Sequence, residues 1–267
     1  MSRIEEALAK ASQQQATHAH PLAQDPASPL AHQPLVDPTG QCDEKLVVLN
    51  APDSPEAEEF RKLKEALLKE TKSHYPENNV ILVTSAGRNE GKTLISCNLA
   101  VSLAQEYDHT MLLVDADLRM PSCSRCLGLP TQEKGLSDCL VNGENVSQAL
   151  VKTGIGKLVL LPAGKSVKDP MEIFSSNAMR QLVMELKHRY SDRIILIDTP
   201  PVLMFAETRA LAGLVDGIIL VVREGESSLE DVKESLDLLD NKVVGLVYNG
   251  TDYTQPCDYS YYTKKQQ

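Results

Sequence analysis

The sequence predicts an α/β fold in which helices cover both faces of a mostly parallel β-sheet. Short runs of Val, Ile and Leu alternate with helical patterns along the chain, and such continuous apolar runs are typical of strands buried on both faces. The predicted strands are residues 80–84, 111–114, 158–161, 194–197, 218–222 and 243–248. The predicted helices are residues 54–69, 93–106, 135–142, 177–190, 207–214 and 228–240.

The helices have their own local signals. Ser54 is a suitable cap for the first of them, and Pro55 occupies its first position, where a missing N–H costs nothing. Phe60, Leu63 and Leu67 then recur at helical spacing and give this helix an apolar stripe.

The chain of 267 residues is predicted to have four parts. Residues 1–12 form a short N-terminal helix, because apolar residues recur there at helical spacing. Residues 13–45 are rich in Gln, Pro, His and Ala without periodicity, and we interpret them as a flexible linker. Residues 46–250 hold the α/β domain, and residues 251–267 form a C-terminal tail with four of the chain's eight tyrosines.

Composition limits the classes of function. The formal net charge is −10, which argues against a protein that binds the phosphate backbone of nucleic acids. No apolar run approaches the roughly 20 residues of a membrane span, and the N-terminus lacks the apolar core of a signal peptide. We therefore expect a cytoplasmic protein that reaches a membrane only through a partner.

A phosphate-binding loop follows the first predicted strand. Residues 86–93 read Ala-Gly-Arg-Asn-Glu-Gly-Lys-Thr and lead directly into a predicted helix, whose N-terminal N–H groups can bind phosphate. Gly91 lets the backbone approach the phosphate oxygens, Lys92 reaches the terminal phosphates, and Thr93 offers its hydroxyl to magnesium. Because Ala86 stands where the strict pattern has glycine, an ordinary turn between a strand and a helix is the alternative.

The predicted nucleotide site covers this loop and one distant residue. Asn249 ends the last predicted strand and is a candidate for reading the base, with a turn-forming asparagine as the alternative. The predicted nucleotide-binding residues are Gly87, Arg88, Asn89, Glu90, Gly91, Lys92, Thr93, Leu94 and Asn249.

Two further strand ends carry carboxylates. Asp115 and Asp117 follow the second predicted strand, and Asp198 follows the fourth. Because the carboxyl ends of parallel strands meet at one edge of a sheet, we expect these side chains beside the phosphate loop. Mg²⁺ prefers oxygen ligands, so the predicted metal ligands are Thr93, Asp117 and Asp198. Together the three motifs predict a magnesium–nucleotide site of a P-loop NTPase.

Six cysteines include one C-x-x-C pair, Cys123 and Cys126. Such a pair is compatible with a redox site or with half of a zinc site, and zinc would then need distant ligands because no second pair follows. In a reducing cytosol we favour ordinary loop thiols.

These motifs resemble those of the bacterial tyrosine kinases, or BY-kinases, of exopolysaccharide and capsule synthesis. Residues 84–93 resemble the first phosphate motif of that family, residues 113–121 its second, acidic motif, and residues 197–201 its third. The N-terminal helix and residues 109–115 are similar to the stand-alone subgroup found with exosortase-type polysaccharide loci. The resemblance implies a P-loop NTPase of the deviant Walker type, similar to the partitioning ATPases.

The resemblance also implies an activity. The family transfers a phosphoryl group from ATP, with Mg²⁺, to tyrosine, and so regulates exopolysaccharide or capsule synthesis or export. It implies catalytic roles for Lys92, Asp115 and Asp117, with Asp115 orienting or deprotonating the phenol. The implied phosphoacceptors, on the tail of a neighbouring subunit, are Tyr253, Tyr259, Tyr261 and Tyr262.

Partners are implied in the same way. Glu58, Arg61 and Lys64 resemble the family's E-x-x-R-x-x-R oligomerisation motif, which contacts the neighbouring subunit of a ring-like homo-oligomer. A membrane-embedded polysaccharide chain-length regulator would activate the protein and recruit it to the inner face of the plasma membrane. A cognate tyrosine phosphatase is a further implied partner, and no nucleic acid is expected.

Three residues depart from the family pattern. Arg88 and Asn89 replace the family's Pro-Gly, and asparagine tolerates a positive φ better than most residues. Lys64 replaces the last arginine of the oligomerisation motif and lacks its bidentate fork. Two other functions remain open: a partitioning-type ATPase that organises a partner without kinase activity, and a catalytically weak scaffold.

Overall fold

A mostly parallel sheet forms the centre of the domain, as predicted, but it has seven strands rather than the six expected, in the order β3-β4-β2-β5-β1-β6-β7. The computed structural model describes residues 42–72, 78–106, 110–189, 193–240 and 242–251. Every pair of neighbouring strands is parallel except β3 and β4. The strands are β1 Val80–Ser85, β2 Thr110–Asp115, β3 Val151–Lys152, β4 Leu158–Leu161, β5 Arg193–Asp198, β6 Gly217–Arg223 and β7 Val243–Asn249.

Ten helices are found in the described residues. All six predicted helices are present, and four short ones were not predicted. They are α1 Val47–Asn50, α2 Pro55–Lys72, α3 Lys92–Ala104, α4 Cys123–Cys126, α5 Leu136–Asn142, α6 Val146–Ala149, α7 Pro170–Phe174, α8 Asn177–Arg189, α9 Ala206–Ala212 and α10 Leu229–Leu238.

The differences from the predicted elements have local causes. Each predicted strand lies within one residue of its observed limits, whereas β3 was missed because two residues cannot show a periodic pattern. Helix α10 begins after Ser228 because that residue is the N-cap, whose hydroxyl accepts the Asp231 N–H at 3.0 Å. The missed helices have four or five residues each, too few for a helical stripe.

Helix α3 is the central helix of one face of the sheet. Every residue from 95 to 104 is buried, and its side chains pack on β1, β2 and β5. Helices α1 and α2 cover its other side, so α3 has no solvated face. A helix buried on all sides is a core helix, and α3 begins at Lys92, directly after the phosphate loop.

The strand register brings the three sequence motifs together. Strand β5 lies between β1 and β2, so its last residue, Asp198, has a partner on each side. Val83 pairs with Asp198 on one side, and Asp115 pairs with Asp198 on the other. The loop after β1 and the two carboxylates therefore lie side by side at the carboxyl edge of the sheet, where ligands bind in such folds.

The chain enters the domain earlier than the predicted linker boundary. The Asp43 N–H donates to the Cys126 carbonyl at 3.0 Å, and the Asn98 side-chain amide donates to the Lys45 carbonyl at 3.0 Å. Residues 42–45 are thus bonded to the domain, which corrects a linker that ends at residue 45.

Several predictions fall outside the described residues. These are the N-terminal helix over residues 1–12, the linker over residues 13–41, and the tail tyrosines Tyr253, Tyr259, Tyr261 and Tyr262. Among the helices that the structure does describe, none is both long enough and apolar enough to cross a membrane.

Candidate functional site

The phosphate loop has a fixed backbone conformation. Asn89 has φ 60° and Gly91 has φ 95°, so both lie in the left-handed region, and the asparagine that replaces the family's glycine adopts the conformation glycine would supply. The Asn249 amide donates to the Glu90 carbonyl at 2.9 Å, and Arg223 Nη1 donates to the Asn89 carbonyl at 2.6 Å. Two side chains that are distant in sequence thus bind the carbonyl groups of the loop.

Glu90 braces the same loop from inside. Its side chain is buried, and Oε2 accepts the Gly87 N–H at 2.9 Å. The Ser227 hydroxyl donates to the other oxygen, Oε1. The carboxylate predicted to contact nucleotide is therefore turned into the loop, and Leu94 likewise packs against the core.

Lys92 and Asp117 form an ion pair across the site. Lys92 Nζ lies 3.2 Å from Asp117 Oδ2, and the two side chains are 16% and 6% exposed. Because both side chains have little access to solvent, the two charges form a largely buried ion pair. A triphosphate near Lys92 would compete with Asp117 for the ammonium.

Asp198 lies fully buried at the end of β5. Its Oδ2 accepts the Thr93 hydroxyl at 2.7 Å, and its Oδ1 accepts the Ser96 hydroxyl at 2.9 Å. Burial raises the pKa of Asp198, while the Lys92 charge and the two hydroxyl hydrogen bonds oppose the shift. Two hydroxyls of α3 thus orient both carboxylate oxygens.

Asp115 ends β2 and is equally inaccessible. Its Oδ2 accepts the N–H groups of Ser122 and Cys123, each at 3.0 Å, and its Oδ1 accepts the Asp117 N–H at 3.3 Å. Burial and then the negative charge of Asp198 raise the pKa of Asp115 to about 7, against the opposing effect of the backbone hydrogen bonds. A carboxylate with this pKa is a stronger base than an ordinary aspartate.

Oxygen and sulfur donors converge between β2 and β5. One ligand atom each of Asp115, Cys123 and Asp198 lies within 4.8 Å of the others. Thr93 joins this group through its hydroxyl bond to Asp198. Asp117, which the sequence predicted as a ligand, is instead paired with Lys92. The carboxylate and hydroxyl donors present suit a hard divalent ion such as Mg²⁺.

The C-x-x-C pair lies in a helix rather than in a loop, which corrects the prediction of loop thiols, and its Cys123 belongs to this group. Cys123 and Cys126 form the ends of α4 and are buried, as is Cys97 of α3. The Cys123 and Cys126 thiols and burial raise the pKa of Cys97 well above its usual range. The three cysteines are thus buried core side chains behind the site.

Two arginines share one aromatic ring at the rim of the site. The guanidinium of Arg119 lies 4.6 Å from the centroid of the Phe205 ring, and that of Arg88 lies 5.7 Å from it. Arg119 also donates to the buried Glu207 at 2.5 Å. The cation that Arg88 adds to the loop therefore lies over Phe205.

A cavity of about 430 Å³ lies next to Asp115. It opens between the segment after β2 and the segment after β4, and its size suits a side chain with its flanking backbone. Its lining residues are Asp115, Pro121, Ser124, Arg125, Gly128, Leu129, Pro130, Thr131, Gln132, Pro162, Ala163 and Gly164.

The three residues predicted to mediate oligomerisation, Glu58, Arg61 and Lys64, lie on α2 and have partners within the chain. Arg61 bonds to Glu58 and to the Pro52 carbonyl. Lys64 Nζ lies 2.5 Å from Glu106, just after the end of α3. The motif residues therefore also tie α2 to its surroundings in a single copy.

Three residues that contact the site, Ser96, Ser227 and Glu207, were not predicted from the sequence. Ser96 follows Lys92 by one helical turn, so helical spacing from the phosphate loop was a usable signal for it. Ser227 and Glu207 contact the site across 137 and 88 positions of sequence, and only the folded chain shows those contacts.

Substituting alanine for Gly91 tests how closely the loop is packed. A Cβ atom at Gly91 would lie 2.2 Å from Asn249 Nδ2, in addition to the cost of about 1–2 kcal/mol for a side chain at this φ. We expect Gly91→Ala to weaken ATP binding about tenfold or more, measured with a fluorescent ATP analogue.

Gly143→Ala is the matched control for that change. Gly143 also has positive φ, at 67°, but a Cβ atom there meets nothing within 4 Å. This variant should lose about 1–2 kcal/mol of unfolding free energy and bind ATP normally. If both variants bound ATP with equal affinity, the close packing of Gly91 against Asn249 would not be needed for nucleotide binding.

Comparisons with known proteins agree with this geometry. A family model described as an AAA domain matches residues 79–243. The tyrosine-protein kinase YwqD of Bacillus subtilis (strain 168) is 30% identical over 223 residues, which cover 82% of this chain and 92% of that protein. The chain is a P-loop nucleotide-binding protein by fold, and it belongs to the bacterial tyrosine-kinase family.

Solved structures show the same fold. The kinase domain of the Escherichia coli tyrosine kinase ETK superposes with a TM-score of 0.71 at 27% identity, covering 77% of this chain and 80% of that one. The septum site-determining protein MinD of Pyrococcus horikoshii OT3, complexed with Mg-ADP, gives a TM-score of 0.54 at 26% identity, covering 64% of this chain and 69% of that one. The fold predicted from sequence is thereby confirmed.

Proposed function

We propose that the protein is an ATP-dependent tyrosine autokinase that phosphorylates the C-terminal tyrosines of a neighbouring copy and thereby regulates exopolysaccharide or capsule synthesis or export. The observation that carries the proposal is the pairing of Asp115 with Asp198 beside the loop that holds Lys92. Lys92 supplies the positive charge of a phosphate site, and Asp115 supplies a buried carboxylate next to a cavity. The similarity to a protein named as a tyrosine kinase supports the same activity.

The loop and Lys92 would bind the triphosphate. Phosphoryl transfer depends mainly on positioning and on neutralising charge at the transferred group. The N–H groups at the start of α3 and the Lys92 ammonium offer positive charge at one place. Lys92 would exchange its bond to Asp117 for the β- and γ-phosphate oxygens, and Asp117 would then be free to hold water around the metal.

Thr93, Asp198 and Asp117 are the proposed metal-binding residues. Mg²⁺ bound with ATP supplies charge neutralisation of the phosphates. Asp198 is oriented by Ser96, so its carboxylate keeps one position when Thr93 turns its hydroxyl oxygen towards a ligand. The donors present are oxygens, which fit this ion.

Asp115 would accept the acceptor's proton. The phenol oxygen attacks the γ-phosphorus, a new O–P bond forms, the bond to the β–γ bridging oxygen breaks, and ADP leaves. The phenol proton passes to Asp115, whose raised pKa of about 7 lies closer to the phenol's usual value near 10 than that of an ordinary aspartate. Orienting the phenol at the inner end of the cavity is the larger part of this role.

A labelling experiment tests the proposed activity. The full chain is incubated with γ-labelled ATP and Mg²⁺, and modified residues are mapped by mass spectrometry. We expect label on Tyr253, Tyr259, Tyr261 and Tyr262. ATP hydrolysis without phosphotyrosine would instead support the partitioning-type ATPase, which the MinD-like fold makes the second candidate. Neither hydrolysis nor transfer would leave a scaffold.

Assembly and recruitment are part of the proposal. We place the neighbouring copy against α2, through Glu58, Arg61 and Lys64. A membrane-embedded polysaccharide chain-length regulator would recruit the cytoplasmic protein to the inner face of the plasma membrane and activate it. A cognate phosphatase would remove the phosphates.

Reversing one charge on α2 tests the assembly surface. We expect Arg61→Glu to raise the dissociation constant of the oligomer about tenfold or more, because it replaces a cation of the proposed contact surface by an anion. Light scattering coupled to size-exclusion chromatography measures this. Lys62→Glu, the same reversal one residue away, is the control. If the oligomers of Arg61→Glu and Lys62→Glu had the same dissociation constant, this surface would be excluded as the contact between copies.

A further inference from the structure

The wall of the cavity beside Asp115 carries a cation that the proposed reaction has not used. Arg125, in α4, lines the cavity and is solvent-exposed, whereas Asp115 lines the same cavity and is only 1% exposed. Within the part of the chain that the structure describes, Arg125 takes part in none of the ion pairs found. The lining of the cavity therefore has a buried part, here called its floor, where Asp115 lies, and an exposed part, here called its rim, where Arg125 lies.

The tail sequence offers a matching pair of groups. Asp252 immediately precedes Tyr253, and Asp258 immediately precedes Tyr259. The other two tyrosines follow Ser260 and Tyr261, which carry no charge. Two of the four proposed acceptors thus present an Asp-Tyr unit, and two do not.

The chemistry of an extended peptide connects these observations. Consecutive side chains of an extended chain point to opposite sides, so a tyrosine aimed at the floor directs its predecessor towards the rim. The long, planar guanidinium of an exposed arginine reaches such a carboxylate and binds it in a bidentate manner. Among the residues that line this cavity, Arg125 is the only one with a cationic side chain.

We propose that this cavity is an acceptor site for Asp-Tyr sequences, in which Arg125 pairs with the aspartate while the tyrosine reaches Asp115. The inference rests on the proposed kinase function and deepens it by naming the preferred substrate class. It sets an order of phosphorylation: Tyr253 and Tyr259 react before Tyr261 and Tyr262. Arg125 is a specificity-determining residue in this scheme.

Peptide binding tests the site without relying on catalysis. A fluorescent peptide of residues 250–262 is titrated with the full chain, and its affinity is compared with that of peptides in which both aspartates are replaced by asparagine or by lysine. Fluorescence anisotropy gives the dissociation constants. We expect the aspartate peptide to bind about three- to tenfold more tightly than the asparagine peptide, as a partly exposed ion pair allows.

Charge reversal at Arg125 makes the test specific. Arg125→Glu should lose the preference for the aspartate peptide and gain one for the lysine peptide. Arg180→Glu, a reversal at an exposed arginine of α8, should keep the parent's preference. Unchanged ATP affinity of Arg125→Glu would show that the nucleotide site is intact. Equal affinity of the parent for aspartate and asparagine peptides, or an unchanged preference in Arg125→Glu, would overturn the proposal.

The order of phosphorylation gives a second readout. In a time course with ATP and Mg²⁺, the parent should modify Tyr253 and Tyr259 first, and Asp252→Asn with Asp258→Asn should remove that precedence. If the parent formed no phosphotyrosine but still preferred the aspartate peptide, the proposed kinase function would be wrong and the peptide-binding site would stand. Simultaneous modification of all four tyrosines in the parent would contradict the order.

Discussion

Lys92→Met is expected to lower tyrosine phosphorylation by about a hundredfold to a thousandfold, because it removes the cation that would neutralise the transferred phosphates. The same change should destabilise the fold by about 1–3 kcal/mol, since Asp117 loses the ammonium 3.2 Å away while only 6% exposed. Phosphotyrosine mapping and urea unfolding measure the two effects separately.

Two further variants separate catalysis from folding. Adding Asp117→Asn to Lys92→Met removes the orphaned charge, so the double variant should recover stability without recovering activity. Lys233→Met, at an exposed lysine of α10, should retain both. Near-normal phosphorylation by a folded Lys92→Met protein would contradict the role of this lysine.

Asp198→Asn should strongly weaken magnesium-dependent nucleotide binding while leaving the protein as stable as the parent or more so. The carboxylate is fully buried near Asp115 and Asp117, and burial raises its pKa, so its charge is unfavourable in the folded state. Asparagine keeps a carbonyl oxygen for one of the two hydroxyls but offers a poorer ligand to a hard cation. We expect affinity for ATP with Mg²⁺ to fall about a hundredfold.

The opposite result is expected at the other end of the sheet. Asp216 accepts the N–H groups of Asn79 and Val80 and lies 2.5 Å from Lys187 Nζ. Asp216→Asn should lose about 1–3 kcal/mol of stability, measured by urea unfolding, and leave Mg²⁺-dependent binding unchanged. If Asp198→Asn destabilised the protein like Asp216→Asn and still bound ATP with Mg²⁺, the site assignment would be wrong.

Elements with strong local signals were predictable from sequence. Buried strands of a parallel sheet appear as continuous apolar runs, and each predicted strand lies within one residue of its observed limits. The meeting of the loop with Asp115 and Asp198 followed from the rule that parallel strands end at one edge. The positive φ of Asn89 is one that asparagine tolerates better than most residues, as noted from the sequence for this departure from the family pattern.

Contacts between distant segments were not predictable in this way. The sequence does not show that Glu90 turns inwards to Gly87 and Ser227, or that Lys92 pairs with Asp117. The C-x-x-C pair was placed in a loop because a four-residue helix has no periodic signal. Its burial follows from the packing of α4 on α3, which only the assembled fold determines.

A mixing experiment tests most directly whether one copy phosphorylates another. A variant with an intact nucleotide site carries phenylalanine at all four tail tyrosines, and it is mixed with Lys92→Met, which keeps those tyrosines. With ATP and Mg²⁺, neither variant alone should form phosphotyrosine, and the mixture should form it on the tail of Lys92→Met. If the mixture stays unmodified under conditions in which the parent protein becomes phosphorylated on its tail, transfer between neighbouring copies is contradicted.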